Sequence, residues 1–168
     1  MIDAPEVDER PLPGETPVQL VARLAEAKAR AVGTRHPGAL VIGSDQVACI
    51  DDDILGKPGN RENAIAQLMA ARGRAVRFHT GLSLLDTDSG EADTAVEPFT
   101  VHFRDLSAAQ IERYVDREQP FNCAGSFKSE GLGIALFSRL DGRDPNALIG
   151  LPLILLVEML DRRGLVLP

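Results

Sequence analysis

The chain has 168 residues, of which 44% are hydrophobic and 26% are charged, so it can fold around one substantial core and is not globally disordered. The net charge of −7 argues against a long nucleic-acid footprint but leaves room for a local basic pocket that holds one phosphorylated small molecule. No apolar run reaches the roughly 18 residues that a membrane-spanning helix needs. Residues 1–15 are acidic and rich in proline, unlike a signal peptide. We therefore predict a cytoplasmic protein with no membrane partner.

Four helices are predicted from capping signals and apolar periodicity. Thr16 is the N-cap of the first helix, Pro17 takes its first position and Gln19 completes a capping box. Ser107 and Gln110 repeat this capping pattern before the third helix. The predicted helices cover residues 17–33, 61–71, 107–118 and 151–163.

The remaining segments predict strands and turns. Strands are expected at 39–50, 74–85, 94–103 and 165–167, with turns at 51–53 and 86–90, and residues 54–58 lead out of the first turn. The glycine-rich stretch 122–137 is interpreted as short strands and turns around a site. Because helices and strands alternate irregularly, we expect an α/β fold with a mixed sheet in a single domain over residues 1–168.

Asp45 is the first candidate for chemistry. It belongs to a polar interruption, Gly43-Ser44-Asp45-Gln46, inside an otherwise core-like strand. A carboxylate that is desolvated on one side can bind Mg²⁺ or act as a general base on a water molecule. The alternative is an aspartate that only bonds to nearby backbone amides.

Four other features are weaker indications of a functional site when each is considered alone. Lys57 follows an acidic turn, and Lys28 lies on the first helix, where a lysine is ordinarily solvated. The loop 123–131 combines small residues with one cation and one carboxylate, but matches no nucleotide-binding fingerprint. The acidic cluster that ends at Glu9 is either a solvated segment or a divalent-metal site.

Taken together, these segments resemble the Maf family of nucleoside triphosphate pyrophosphatases. The resemblance runs nearly end to end, and no single motif carries it. The matching motifs, in chain order, are PEVDE at 5–9, the helix around Lys28, IGSDQV at 42–47, LGKP at 55–58, HTGL at 79–82, VHFRDLS at 101–107, CAGSFKSEG at 123–131 and GRDPNALIGLPL at 142–153.

The resemblance implies a fold, a reaction and a metal. The fold is a mixed, twisted sheet with flanking helices and an active-site cleft, as in Maf and inosine-triphosphatase-like proteins, commonly as a homodimer. The reaction is hydrolysis between the α and β phosphates with a divalent cation, Mg²⁺ or Mn²⁺. Carried onto this sequence, Asp45 is the proton acceptor that activates water, and Glu9 and Asp45 hold the metal.

The resemblance also assigns the lysines to the triphosphate. Lys28, Lys57 and Lys128 are implied to contact the phosphates. The chain has fifteen arginines and only these three lysines, and all three fall on motif positions. A compact ammonium is a point charge that suits crowded phosphates, and the wide guanidinium fork of arginine does not replace it freely.

Gln46 and Glu130 are the residues implied to select the base. Their identities resemble the branch of the family that acts on 7-methyl-GTP more than the dTTP/UTP branch. N7-methylation makes guanine cationic, and its N1 and N2 groups are donors. A carboxylate such as that of Glu130 can accept from these donors and offset the charge.

Two alternatives remain open, and one family element is missing. The chain could hydrolyse dTTP, UTP or another non-standard nucleotide, or it could be a non-catalytic nucleotide-binding regulatory protein. Family members begin with a strand and a loop resembling S-x-S-P-x-R upstream of the PEVDE segment. We therefore expect this domain to be N-terminally truncated relative to the family.

Overall fold

Helix α1 (Pro17–Gly33) begins and ends where the sequence predicts. The hydroxyl of Thr16 accepts the backbone N–H of Gln19, and the side-chain carbonyl of Gln19 accepts the backbone N–H of Thr16. This capping box satisfies two N–H groups that have no partner within the helix. The buried side chains recur at helical spacing and line one face: Leu20, Val21, Leu24, Ala25 and Ala29.

The computed structural model describes residues 1–51 and 53–168 of the chain, so Asp52 of the predicted turn 51–53 lies outside the described residues. The other helices are α2 (Arg61–Ala71), α3 (Ala108–Glu118), α4 (Asn146–Ile149) and α5 (Leu153–Arg162). The strands are β1 (Leu40–Ile50), β2 (Asp53–Leu55), β3 (Ala75–Asp86), β4 (Ala92–Phe103) and β5 (Phe137–Asp141). Among the described residues, no helix is both long and apolar enough to cross a bilayer.

The five strands form one open sheet in the order β2-β1-β3-β4-β5. Strands β1 and β2 pair antiparallel, as do β4 and β5. A tight turn joins β3 to β4, where the Asp86 N–H donates to the Glu91 carbonyl at 3.0 Å. The predicted α/β class with an open sheet and flanking helices is confirmed. These described pairs are antiparallel where a mixed sheet is expected. Only two residues separate β1 from β2, and so short a connection permits only antiparallel pairing, whereas β4 and β5 pair antiparallel across a long connection that contains α3.

Two predicted strand regions are wrong. The stretch 122–137 contains the 3-10 helices Ala124–Ser126 and Leu132–Leu136 in place of short strands. Gly125 and Ser126 have φ angles of 73° and 62°, and this left-handed backbone cannot continue a strand. Residues 165–167 are irregular, and the short helix α4 is not predicted.

The chain divides into two compact units, each with its own core. Unit 1 comprises residues 1–46, 79–97 and 150–168, and unit 2 comprises residues 47–78 and 98–149. In unit 1, Met159 of α5 packs with buried leucines of β3 and α5. In unit 2, the ring of Phe127 contacts those of Phe78, Phe103 and Phe137 edge-to-face, with centroids 4.8–5.7 Å apart. Such arrangements are favoured between aromatic rings.

Candidate active site

Two glycines let helix α1 lie directly on strands β1 and β3 within unit 1. A Cβ atom at Gly43 would lie 2.2 Å from the carbonyl oxygen of Ala25, and one at Gly81 would lie 2.2 Å from that of Val21. Real Cβ atoms do not approach backbone this closely, so only glycine permits the contact. The close packing brings Lys28, on the next turn of α1, beside Asp45 of β1.

Lys28 bridges Asp45, the predicted catalytic carboxylate, and Glu9, a predicted metal ligand. Its Nζ lies 2.6 Å from Oδ1 of Asp45 and 2.7 Å from Oε1 of Glu9. The side chains of Lys28 and Asp45 are only 17% and 11% exposed, whereas that of Glu9 is 55% exposed. Burial lowers the pKa of Lys28, but the hydrogen bonds to Asp45 and Glu9 outweigh it, and the net pKa is raised. Lys28 is therefore a permanent ammonium at neutral pH.

A second ion pair anchors the N-terminal segment next to this cluster. The guanidinium of Arg23 forms a bidentate pair with Glu15, at 2.6 and 2.8 Å, and also donates to the carbonyl of Arg10. The hydrogen bond from Arg23 lowers the pKa of Glu15 from 4.5 to about 2. Attraction to Asp45 is among the effects that raise the pKa of Arg23. Arg23 thus adds positive potential at Asp45.

Hydrogen bonds hold the polar interruption of β1 in place. The hydroxyl of Ser44 lies 2.9 Å from the carbonyl oxygen of Gly81 and 2.7 Å from that of Gly150. The amide of Gln46 donates to the hydroxyl of Thr80 at 2.9 Å. Since Thr80 is fully buried, its hydroxyl fixes the orientation of the Gln46 amide.

In unit 2, Lys128 is held at the end of helix α3. Its backbone N–H donates to the hydroxyl of Tyr114 at 3.0 Å, and its Nζ donates to the carbonyl of Glu118 at 3.2 Å. The Glu118 carboxylate lies 3.8 Å from the same ammonium and also accepts the N–H of Leu132. A cation at the C-terminus of a helix is stabilised by the helix dipole.

Lys57 and Glu130 also belong to unit 2, and both side chains are exposed. Glu130 accepts a 3.3 Å hydrogen bond from the hydroxyl of Ser129. The pKa of Cys123 is raised by burial, and nearby charges also act on it: Lys128 lowers it, Glu130 and Glu118 raise it, and Lys57 lowers it. The two lysines and Glu130 therefore all lie within electrostatic range of one thiol.

Comparison with known proteins decides the family. The model of the Maf-like protein family matches residues 1–163. The chain belongs to this family. A protein from Nitrosococcus oceani is 61% identical over 97% of this chain and 82% of its own length. Proteins from Vibrio vulnificus and Alcanivorax borkumensis are 57% and 58% identical over 96% and 98% of the chain. All three relatives are named 7-methyl-GTP pyrophosphatase.

The residues that the Maf resemblance assigns are brought together in two groups. Unit 1 unites Lys28, Asp45 and Glu9 in one hydrogen-bonded cluster and holds Gln46 on the same strand as Asp45. Unit 2 contains Lys57, Lys128 and Glu130, all within electrostatic range of Cys123. Sequence analysis misses the residues that orient these groups: Glu15, Arg23, Thr80, Tyr114 and Glu118. Of these, Thr80 lies within the HTGL motif at 79–82, and no pattern in the sequence indicates the contacts of the others.

The cluster in unit 1 fits a divalent cation. Carboxylate oxygens of Asp45 and Glu9 already converge on one positive centre, the ammonium of Lys28. Within residues 1–51 and 53–168, no group of three or more His, Cys, Asp or Glu side chains is arranged to hold a metal ion. Mg²⁺ is ordinarily bound by one or two carboxylates, with substrate phosphates and water as the remaining ligands. Two carboxylates are what such a site requires from the protein.

Proposed function

We propose that this Maf-like protein is a nucleoside triphosphate pyrophosphatase that hydrolyses 7-methyl-GTP to 7-methyl-GMP and pyrophosphate. The observation that carries the proposal is the cluster of Lys28, Asp45 and Glu9, in which the largely buried carboxylate of Asp45 is held by a permanent ammonium. The names of the close relatives support the same reaction.

Asp45 is the proton acceptor of the proposed reaction. Its carboxylate takes a proton from a water molecule whose oxygen attacks the α-phosphorus. The bond from the α-phosphorus to the α–β bridging oxygen breaks, and pyrophosphate leaves with the bonding electrons. Lys28 has three N–H donors, two of which point to Asp45 and Glu9, so the third remains for a phosphate oxygen.

Glu9 and Asp45 would hold the divalent cation, Mg²⁺ or Mn²⁺. When bound, such an ion neutralises phosphate oxygens and stabilises the charge that develops on them during transfer. The carboxylates of this chain orient on one point before any substrate arrives, because Lys28 already bridges them. This preorganisation lowers the cost of assembling the site.

Lys57 and Lys128 are the proposed partners of the triphosphate, and Gln46 and Glu130 of the base. Lys57 is exposed and forms no hydrogen bond or ion pair with any described residue, so its ammonium is available to an anion. Glu130 presents an exposed carboxylate that can accept from N1 and N2 of a cationic 7-methylguanine. The homodimer and the cytoplasmic location stay predictions from the sequence.

The test is pyrophosphate release by the purified chain with Mg²⁺ or Mn²⁺. The substrates are 7-methyl-GTP, GTP, dTTP, UTP and ITP, each assayed with the wild type and with Asp45→Asn. We expect 7-methyl-GTP to react fastest, and we expect Asp45→Asn to lower its turnover by roughly 100- to 10,000-fold, the contribution of a positioned base.

The other outcomes separate the alternatives. Preference for dTTP or UTP would retain the chemistry and contradict the assignment of the base. Nucleotide binding without pyrophosphate release would identify a non-catalytic binding protein. An Asp45→Asn variant as active as the wild type would overturn the role of Asp45.

A further inference from the structure

Gln67 of helix α2 bonds to both segments that carry the lysines of unit 2. Its side-chain amide donates to the carbonyl oxygen of Gly56 at 3.0 Å, and its side-chain carbonyl accepts the hydroxyl of Ser126. Gly56 immediately precedes Lys57, and Ser126 lies two residues before Lys128. One amide group thus joins the two loops, and its bond to Ser126 connects residues that are 59 positions apart in sequence.

The end of this bridge at Ser126 is costly to break. Ser126 is fully buried and has a φ of 62°, in the left-handed region that a serine rarely adopts. Among the described residues, its hydroxyl donates only to Gln67. A buried hydroxyl without an acceptor is destabilising, so this bond helps to hold the loop in its uncommon conformation.

The other end of the bridge, at Gly56, is exposed. A Cβ atom at Gly56 would meet nothing within 4 Å, so this glycine faces open space, although Leu55 packs against the core and Pro58 is buried. Besides Gln67, its neighbours are held by Asn63, whose side chain donates to the carbonyl of Pro58 at 3.0 Å. Hydrogen bonds from α2 therefore add to the packing of Leu55 and Pro58 in setting the position of the exposed Lys57.

We propose that Gln67 is a positioning residue: its amide fixes the Lys57 and Lys128 segments in one arrangement, so that both ammonium groups act on the same triphosphate. The inference rests on the proposed function for the identity of the ligand, but not for the geometry of the bridge. Two point charges on separate loops bind a polyanion best when their spacing is fixed before binding, because no ordering cost is then paid on association.

The first variant is Gln67→Leu, which keeps the bulk of the side chain and removes both hydrogen bonds. We expect kcat/KM for 7-methyl-GTP to fall roughly tenfold, mainly through KM, because misplaced binding groups weaken attraction to the phosphates. The matched control is Glu62→Gln on the same helix, whose exposed side chain has no hydrogen bond to either loop. It should leave KM unchanged.

A second variant protects the test against simple misfolding. Gln67→Leu combined with Ser126→Ala removes the buried hydroxyl together with its acceptor, so no buried polar group is left unpaired. This double variant should melt at a higher temperature than Gln67→Leu and still show the raised KM. Recovery of the wild-type KM in the double variant would overturn the proposal.

The alkylation rate of Cys123 tests the role of the Gln67 bridge in the absence of any nucleotide. Cys123 is half-buried and Cys49 is buried, so Cys123 is the thiol that a small reagent reaches in the folded protein. Lys128 and Lys57 both lower the pKa of Cys123. If Gln67→Leu lets the lysines move away, that pKa rises and alkylation at pH 8 slows, whereas simple loosening of the loop would expose the thiol and speed it.

The alkylation rate of Cys123 and the KM of Gln67→Leu together distinguish the proposed role of Gln67 from the proposed function. Slower alkylation in Gln67→Leu, with the wild type inactive on every nucleotide, would support the bridge and overturn the proposed function. Unchanged or faster alkylation together with an unchanged KM would overturn the role of Gln67 and leave the pyrophosphatase proposal standing.

Discussion

The lysine of unit 1 and the lysines of unit 2 are held in opposite ways. The side chain of Lys28 is only 17% exposed, and its Nζ lies 2.6 Å from a carboxylate oxygen of Asp45 and 2.7 Å from one of Glu9. Its charge is therefore compensated within the protein. Lys57 is exposed and has no carboxylate of the described residues within hydrogen-bonding distance, and Lys128 lies 3.8 Å from Glu118. The first arrangement suits a group that orients catalytic carboxylates, and the second suits groups that attract an anion.

Of the lysine variants, Lys28→Gln should cause the largest loss of turnover. It removes the ammonium but keeps a hydrogen-bond donor, which leaves Asp45 and Glu9 close together without the cation that bridges them. We expect kcat for 7-methyl-GTP to fall by roughly 100-fold, in the range for loss of a preorganised electrostatic group. Steady-state kinetics at saturating Mg²⁺ measures this loss.

Lys57→Gln is the matched control for Lys28→Gln. Because Lys57 is exposed and unpaired among the described residues, its loss should raise KM more than it lowers kcat. If both variants change the same kinetic parameter to the same extent, the proposed difference in role between Lys28 and Lys57 is wrong.

Glu130→Gln should have a smaller effect, and only on the choice of base. The substitution keeps an acceptor but removes the negative charge that offsets the cationic 7-methylguanine. We expect the ratio of kcat/KM for 7-methyl-GTP to that for GTP to fall by about tenfold, the value of one charge-assisted hydrogen bond. An unchanged ratio would show that Glu130 does not read the base.

Glu15→Gln should have the smallest effect on catalysis and a defined effect on stability. The pKa of Glu15 is about 2 in the folded protein, below its ordinary value of 4.5, because Arg23 hydrogen-bonds to the ionised form. The pair therefore stabilises the fold above pH 4.5, and this contribution is lost as the pH falls from 4.5 towards 2. Thermal melts across this range measure it.

The variant Glu15→Gln should melt below the wild type at pH 7, and the difference should shrink as the pH falls towards 2. Glu26→Gln is the control, because Glu26 forms an exposed ion pair with Arg30 on the same helix. Parallel pH profiles for the wild type and Glu15→Gln would contradict the role of this ion pair.

The sequence predicts local structure well because the signals are local. The capping boxes at Thr16 and Ser107 use side chains three residues apart, and both appear in the structure. The assignment of Asp45, Lys28 and Glu9 depends on the family motifs, and the structure places these three in contact. Their roles in catalysis stay predictions.

The remaining features depend on contacts between distant residues. Gln67 meets Ser126 across 59 residues, and no periodicity of α2 indicates this bond. The loop around Gly125 and Ser126 is left-handed, which single-sequence patterns for strands do not anticipate. Gly43 looks like a weak position in a strand until the backbone of α1 is seen against it.

The measurement that tests the central claim most directly is hydrolysis of 7-methyl-GTP by the wild-type chain in ¹⁸O-labelled water, with both products analysed by mass spectrometry. If water activated at Asp45 attacks the α-phosphorus, one ¹⁸O atom enters 7-methyl-GMP and none enters pyrophosphate. Label in pyrophosphate, or release of inorganic phosphate in place of pyrophosphate, would contradict the proposed reaction.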